Sequence, residues 1–129
     1  MAVWPDLEIE LVAYLAGRRA TRVLTELPAN LGDILPVVQV QRLPGGGDDG
    51  FRLDRALASI DVYAATRGDA STLAELVRDD LINHLPGTQT ARAVFGRVAT
   101  VSAPAWRPYE NPGLRRSGAT YELFFHAVP

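Results

Sequence analysis

The strongest constraint on the fold is a pair of alternating segments on either side of a glycine-rich tract. In residues 36–43, Val38 and Val40 alternate with two glutamines. This period of two is typical of a β-strand with one buried face. Residues 56–65 repeat the pattern, with Ala58, Ile60 and Val62 on one face. Two such strands joined through residues 44–50 predict an antiparallel hairpin.

The tract between these strands is rich in glycine. Four of the seven residues from Pro44 to Gly50 are glycine. Ordering glycine costs more backbone entropy than ordering any other residue. We therefore expect residues 44–50 to hold no regular structure. The prediction is a flexible hairpin loop at about residues 44–55.

Two segments show the spacing of amphipathic helices. In the first, the apolar residues recur three and four apart, with Pro5 in the first turn and Gly17 as the stop: Trp4, Leu7, Leu11, Tyr14 and Leu15. In the second, Thr72 and Glu75 have the spacing of a capping box, and Pro86-Gly87 ends the helix. Its predicted apolar stripe is Leu73, Leu76, Val77, Leu81 and Leu85.

Three further strands complete the prediction, at residues 22–27, 94–102 and 118–128. Three prolines between the last two predict a loop at about residues 103–116 that stays out of the ladder. The whole chain, residues 1–129, is predicted to be one domain. The predicted fold class is α+β, with a mostly antiparallel sheet of four to five strands and two amphipathic helices packed on one face.

Composition narrows the range of functions. The chain contains no cysteine, which excludes a thiol nucleophile and a cysteine-ligated metal. Its 13 basic side chains, all arginine, are set against 15 acidic ones for a net charge of −2, so we expect no general attraction to nucleic acid or anionic lipid. No segment approaches the roughly 18 uninterrupted apolar residues of a membrane span. The acidic N-terminus differs from a secretory signal, which predicts synthesis and retention in a cytoplasm unless a larger assembly carries the protein out.

Motifs for catalysis and ligand binding are missing. The sequence has no dinucleotide-binding, P-loop, zinc-protease or nucleophile-elbow signature. A catalytic or metal-binding role for His84 or His126 would need partner residues that the sequence cannot place, which favours solvated or interface histidines. The aspartates around the glycine tract lack the spacing of a calcium loop, which favours solvated acids. We therefore predict no catalytic residue, no cofactor and no metal ion.

The two predicted loops concentrate residue types that are common in protein interfaces. Tryptophan, tyrosine and arginine are enriched at interface hot spots. The predicted oligomer or docking interface comprises Asp48, Asp49, Phe51, Arg52, Asp54, Trp106, Arg107, Tyr109, Glu110, Arg115 and Arg116. Arginine–carboxylate pairs between subunits would fix their register. The alternative for the second loop is that Trp106 and Tyr109 close the end of the sheet while the arginines are solvated.

In its overall pattern the sequence resembles the tail terminator proteins of long-tailed bacteriophages, especially those that infect actinobacteria. Three stretches carry the resemblance and cover nearly the whole chain: PDLEIELVAYL, LPVVQVQRLPGGGDDGFRLDRALASIDVYAATR and SAPAWRPYENPGLRRSGATYELFFHA. The resemblance implies a small α+β protein that closes into a hexameric ring. Such a ring caps the finished tail tube, ends its polymerisation and presents a surface to the head-side neck.

The resemblance also implies partners and a location. The partners are further copies of the chain, the tail tube protein and a head-completion or neck protein. The location is the head-proximal end of the tail in the virion, after synthesis in the host cytoplasm. DNA would pass through the central hole without specific binding, and the job requires no catalysis.

Three other readings remain open at this point. A head-completion or head–tail joining protein of the neck would share the size, composition and assembly logic. A small enzyme or ligand-binding domain would need a deep pocket with convergent polar groups, for which the sequence gives no sign. A DNA-binding module is disfavoured by the net charge of −2 and by the dispersed arginines.

Overall fold

The computed structural model describes residues 4–111 and 113–129, which form two α-helices and one five-stranded sheet. Helix α1 spans Leu7–Arg18 and α2 spans Arg67–Asp79. The strands are β1 (Arg22–Leu24), β2 (Val37–Gly46), β3 (Leu53–Ala64), β4 (Ala93–Arg107) and β5 (Arg115–Ala127). Short helical turns occupy Leu31–Asp33, of 3₁₀ type, and Asp80–His84, of π type, directly after α2.

The sheet has the order β1-β2-β3-β5-β4. β1 runs parallel to β2, and the other three pairings are antiparallel. The centre is the β2–β3 hairpin, in which Val38 lies opposite Val62, together with β5, in which Ala119 lies opposite Ile60. The predicted α+β class, with a mostly antiparallel sheet and two helices, is confirmed.

The main core lies between the helices and one face of the sheet. Successive strand residues point to opposite faces, so residues two apart in β2, β3 and β5 meet the same helices. The largest contributors are fully buried: Leu7, Leu11, Leu15, Val40, Leu81, Leu85, Phe95, Tyr121, Leu123 and Phe125. Burying each of these side chains stabilises the fold by roughly 1.5–3 kcal/mol before the entropy cost.

A second, smaller cluster covers one end of the opposite face. Val37 and Tyr63 are paired across β2 and β3, and Leu31 and Leu114 pack on them from the loops. This cluster explains why β2 is buried on both faces from Val37 to Val40. The expectation that only one face of this strand is buried is therefore wrong for residues 37–40.

Both helices begin differently from the sequence prediction. The Asp6 carboxylate accepts the Ile9 N–H at 3.2 Å, so Asp6 is the N-cap of α1 and Pro5 lies before the helix. The Thr66 hydroxyl accepts the Asp69 N–H at 3.1 Å, so α2 begins before the predicted Thr72–Glu75 box. Each N-cap satisfies an N–H that the first helical turn leaves unpaired.

The strands extend into both predicted loops. β2 continues to Gly46, with a bulge after Leu43. A Cβ at Gly46 would collide with the Arg55 carbonyl oxygen, and its φ is +76°. Glycine here permits a close approach of two strands, so the expectation of no regular structure is wrong for residues 44–46.

β4 runs through Pro104 to Arg107, and β5 begins at Arg115. The expectation that prolines keep residues 103–116 out of the ladder is therefore wrong at both ends of that range. β4 is an edge strand, and it bulges between Ser102 and Ala105. An edge strand tolerates proline because half of its N–H groups face no partner.

Candidate functional site

The hairpin tip, residues 47–52, is held in shape by two aspartates. Asp49 Oδ1 accepts the N–H groups of Phe51, Arg52 and Leu53 at 2.9, 2.9 and 3.1 Å. Asp48 Oδ1 accepts the Gly50 N–H at 2.8 Å. The hydrogen bond from the Phe51 N–H is the main cause of the lowered pKa of Asp49, and those from Arg52 and Leu53 lower it further. The tip is therefore an organised turn.

This turn presents an aromatic side chain to solvent. Phe51 is 79% exposed, the most of any large apolar residue in the described chain. Beside it, the Arg52 guanidinium lies 3.1 Å from His126 Nδ1. Because the turn is already ordered, binding through its exposed apolar side chain would cost little further backbone entropy. This favours contact with another surface.

Asp54, predicted as an interface residue, is used inside the chain. Its carboxylate is buried and forms a two-point ion pair with Arg42, at 3.0 and 3.1 Å. The Arg42 guanidinium also lies over the Phe125 ring, 6.0 Å from its centroid. This pair links β2 to β3 close to the hairpin tip.

The other predicted interface residues lie in the β4–β5 connection, residues 108–114 without Pro112, and in the strand ends on either side of it. Tyr109 packs edge-on against Tyr63 with ring centroids 5.2 Å apart, and the Arg116 guanidinium lies 5.3 Å from the Tyr109 centroid. Arg116 also donates to the Pro108 carbonyl at 2.9 Å. Tyr109 and Arg116 thus close the end of the sheet. For Tyr109, this is the position that the alternative interpretation of the loop expected.

Other members of this segment reach the surface. Trp106 is 43% exposed, with the Arg67 guanidinium 5.0 Å from its ring centroid. Glu110 is exposed. Arg115 lies in β5, and its Nη1 donates to the Leu114 carbonyl at 3.2 Å.

Arg107 is engaged within the chain by a buried carboxylate. Its Nη1 lies 3.5 Å from Asp61 Oδ1, which has no hydrogen-bond partner among the described residues. Ser59 donates to the other Asp61 oxygen at 3.3 Å. Gly118 makes room for this contact, because a Cβ there would meet both Asp61 and Arg107. The charge of Asp61 is thus balanced mainly by one partly exposed guanidinium.

The two groups of predicted interface residues lie at opposite ends of the sheet. Leu53, next to the hairpin tip, pairs with His126, whereas Ala64, at the other end of β3, pairs with Arg115. At about 3.3 Å per residue, the 12 residues of β3 separate them by roughly 35 Å. Among the described residues, no arginine of one predicted loop forms an ion pair with a carboxylate of the other loop in the same chain.

Two features escaped the sequence prediction. Glu10 is buried, and its Oε1 accepts the Thr90 hydroxyl and the Arg92 N–H, each at 2.7 Å. As a result Ile9, one position earlier, faces solvent and is 63% exposed. Leu76, assigned to the core stripe of α2, is 42% exposed and lines a groove beside that helix. The predicted stripe of α1 is on the buried side, since Leu7, Leu11 and Leu15 are buried, whereas the stripe of α2 includes the exposed Leu76.

The described residues leave several large apolar side chains exposed, among them Phe51 and Trp106. Residues 4–111 and 113–129 contain no group of three or more side chains suited to hold a metal ion. None of the helices described is both long and apolar enough to cross a membrane.

Burial is the main cause of the raised pKa values of Tyr63 and Tyr121, which lie in the core.

The fold and these surfaces define a small α+β protein with one five-stranded sheet among the described residues and exposed side chains at both ends of a central hairpin. The profile of the phage tail termination protein family matches residues 4–103. The chain belongs to this family, and the resemblance to tail terminator proteins is confirmed. It is therefore a structural protein of a phage-type tail.

Comparison with solved structures agrees at the level of the fold. A chain from "Virion of native gene transfer agent (GTA) particle" superposes with a TM-score of 0.64 and 18% sequence identity. The match covers 92% of this chain and 89% of that chain. No curated protein matches the chain.

Proposed function

We propose that the chain closes into a ring at the head-proximal end of a phage tail tube. The ring ends polymerisation of the tube and offers its other side to a head-completion or neck protein. By the resemblance described above it holds six copies, and DNA passes through its central hole without specific binding. It carries out this role without catalysis.

Membership in the tail termination family over residues 4–103 is the observation that carries the proposal. The likeness to a virion chain adds support from a phage-like particle. A cyclic ring needs two different patches on every subunit. The hairpin tip and the surface at the far end of the sheet are two such patches, and they differ in composition.

The net charge of the chain suits a channel for DNA. The chain has a net charge of −2, and the hairpin tip carries Asp48 and Asp49. Each phosphate contact would add salt-dependent affinity and slow the passage of DNA. A ring without a basic lining would avoid this.

Polymerisation of purified tail tube protein tests the role. With the chain present, we expect tubes to stop growing and electron micrographs to show a ring at one end of each tube. Native mass spectrometry of the ring should give six copies. Without the chain, tubes should grow to variable lengths.

Pull-down separates this role from that of a neck protein. The chain, immobilised, should retain tail tube protein in the absence of any head component. Retention of the head connector but not of tube protein, with tube growth unaffected, would overturn the proposal. Turnover of a small compound by the purified ring would overturn its non-catalytic part.

A further inference from the structure

An apolar groove lies at the end of the β2–β3 hairpin that is remote from its tip. It has a volume of about 420 Å³ and lies between the first half of α2, the start of β2 and the end of β3. Its apolar walls include Leu35, Pro36, Ala64, Leu73 and Leu76. We call it the α2 groove.

One apolar wall of the groove is exposed in the isolated chain. Leu76 is 42% exposed although it lies in an otherwise amphipathic helix. Exposed apolar clusters with a polar rim are typical of contact sites. Asp69 contributes to the rim, and its carboxylate has no hydrogen bond or ion pair within the described residues.

The hairpin tip has the complementary features. Phe51 is 79% exposed, and Arg52 next to it is exposed and positively charged, with one guanidinium nitrogen 3.1 Å from His126 Nδ1. The tip cannot reach the groove of its own chain, since the length of β3, roughly 35 Å, separates them. Phe51 and Arg52 can therefore reach this groove only from a second copy of the chain.

We propose that Phe51 of one copy inserts into the α2 groove of the next copy, where Arg52 pairs with Asp69. An aromatic anchor in an apolar pocket flanked by a charge pair is the usual composition of an interface hot spot. The two patches are unlike and lie at opposite ends of one hairpin, so the contact is head-to-tail. This inference rests on the proposed function, because it supplies the contact between neighbours in the ring.

Cysteine cross-linking tests the contact directly, because the natural chain has no cysteine. The variant Arg52→Cys with Asp69→Cys, which keeps Phe51 and Leu76 in place, is assembled alone and on tail tubes, then oxidised. We expect a ladder of covalent oligomers that ends at the ring number. Each single variant should give no ladder, since one cysteine cannot link both neighbours.

A charge exchange tests the flanking pair. Arg52→Glu alone and Asp69→Arg alone should each reduce the ring fraction at least tenfold by size-exclusion chromatography with light scattering. The double variant should recover most of the ring. Circular dichroism should show that all three remain folded, because both side chains lie at the surface.

Different failures have different meanings. Rings that assemble normally without a ladder, and a double variant no better than its singles, would overturn the contact and leave the proposed function standing. A cross-link from position 52 to tail tube protein would also overturn it, with the tube as the occupant. Wild-type chain that forms no ring, either alone or on tubes, would overturn both.

Discussion

Arg19 and Asp80 form a two-point ion pair that joins the end of α1 to the end of α2. Arg19 Nε lies 2.8 Å from Asp80 Oδ2, and its Nη2 lies 2.9 Å from Oδ1. Arg18 Nε makes a further contact of 2.8 Å with Oδ1, which raises the pKa of Arg18. The Asp80 side chain is fully buried at the start of the π-helical turn. Its charge is balanced by two guanidinium groups, which couple the two helices over the sheet.

We predict that Asp80→Asn lowers the free energy of unfolding by about 2–4 kcal/mol, because the two guanidinium groups lose their shared buried carboxylate. Urea denaturation at neutral pH measures this. The matched control is Asp79→Asn, since Asp79 is exposed and bonds only to Asn83 and His84 among the described residues. Its effect should be much smaller. Equal losses for the two variants would contradict a special role for Asp80.

Gly118 should tolerate no side chain. A Cβ there would lie 2.8 Å from Arg107 Cδ and would collide with Asp61 Oδ1. We predict that Gly118→Ala displaces Arg107 and lowers the free energy of unfolding by about 1–3 kcal/mol. The control is Gly96→Ala in edge strand β4, where the nearest atom is 3.6 Å away. Thermal unfolding should leave that control within about 1 kcal/mol of wild type.

Alkaline pH should destabilise the protein through Tyr121. Burial raises the pKa of Tyr121 to about 12, from 10.0. The folded state therefore favours the neutral phenol, and its contribution is complete below pH 10.0 and is lost as pH rises towards 12. The loss corresponds to roughly 2–3 kcal/mol. Tyr121→Phe should remove this part of the alkaline loss in urea titrations at several pH values.

Tyr63→Phe provides the contrasting variant. The Tyr63 hydroxyl donates to Gln39 Oε1 at 3.1 Å. Its removal should cost about 1 kcal/mol already at neutral pH, whereas Tyr121→Phe should be nearly neutral there. A full alkaline loss that persists in Tyr121→Phe would assign the transition to other groups.

Asp49 should control the order of the hairpin tip. Its lowered pKa means that the ionised carboxylate stabilises the tip above the ordinary aspartate range. This contribution is lost as pH falls through the lowered value. We predict that Asp49→Ala accelerates amide exchange at Phe51 and Arg52 by roughly tenfold, with global stability unchanged. Asp48→Ala should affect chiefly Gly50, whose N–H it accepts. Uniform exchange changes in both variants would contradict this.

Local patterns were sufficient for the elements and their order. The alternation around Val38, Val40, Ile60 and Val62 follows from the two-residue period of a strand, and the structure pairs Val38 with Val62. Boundaries were less predictable. Pro104 lies within β4 because that strand is at an edge, and edge position is a property of the assembled sheet.

The candidate contact residues divide in the same way. Their types drew attention to the hairpin tip, and Phe51 is indeed highly exposed. The sequence could not show that Asp54 pairs with Arg42 or that Arg107 pairs with Asp61. Nor could helical spacing show that Leu76 lies beside a groove, because the spacing gives a stripe without its orientation.

The sequence by itself therefore determined the α+β class, the two amphipathic helices and the absence of recognisable catalytic motifs. These depend on periodicity and residue type, which act over a few residues. Only the tertiary structure decided which charges are used within the chain, and that Phe51 and the α2 groove lie at opposite ends of one hairpin. Those relations depend on strand order and register, which bring distant residues together or hold them apart.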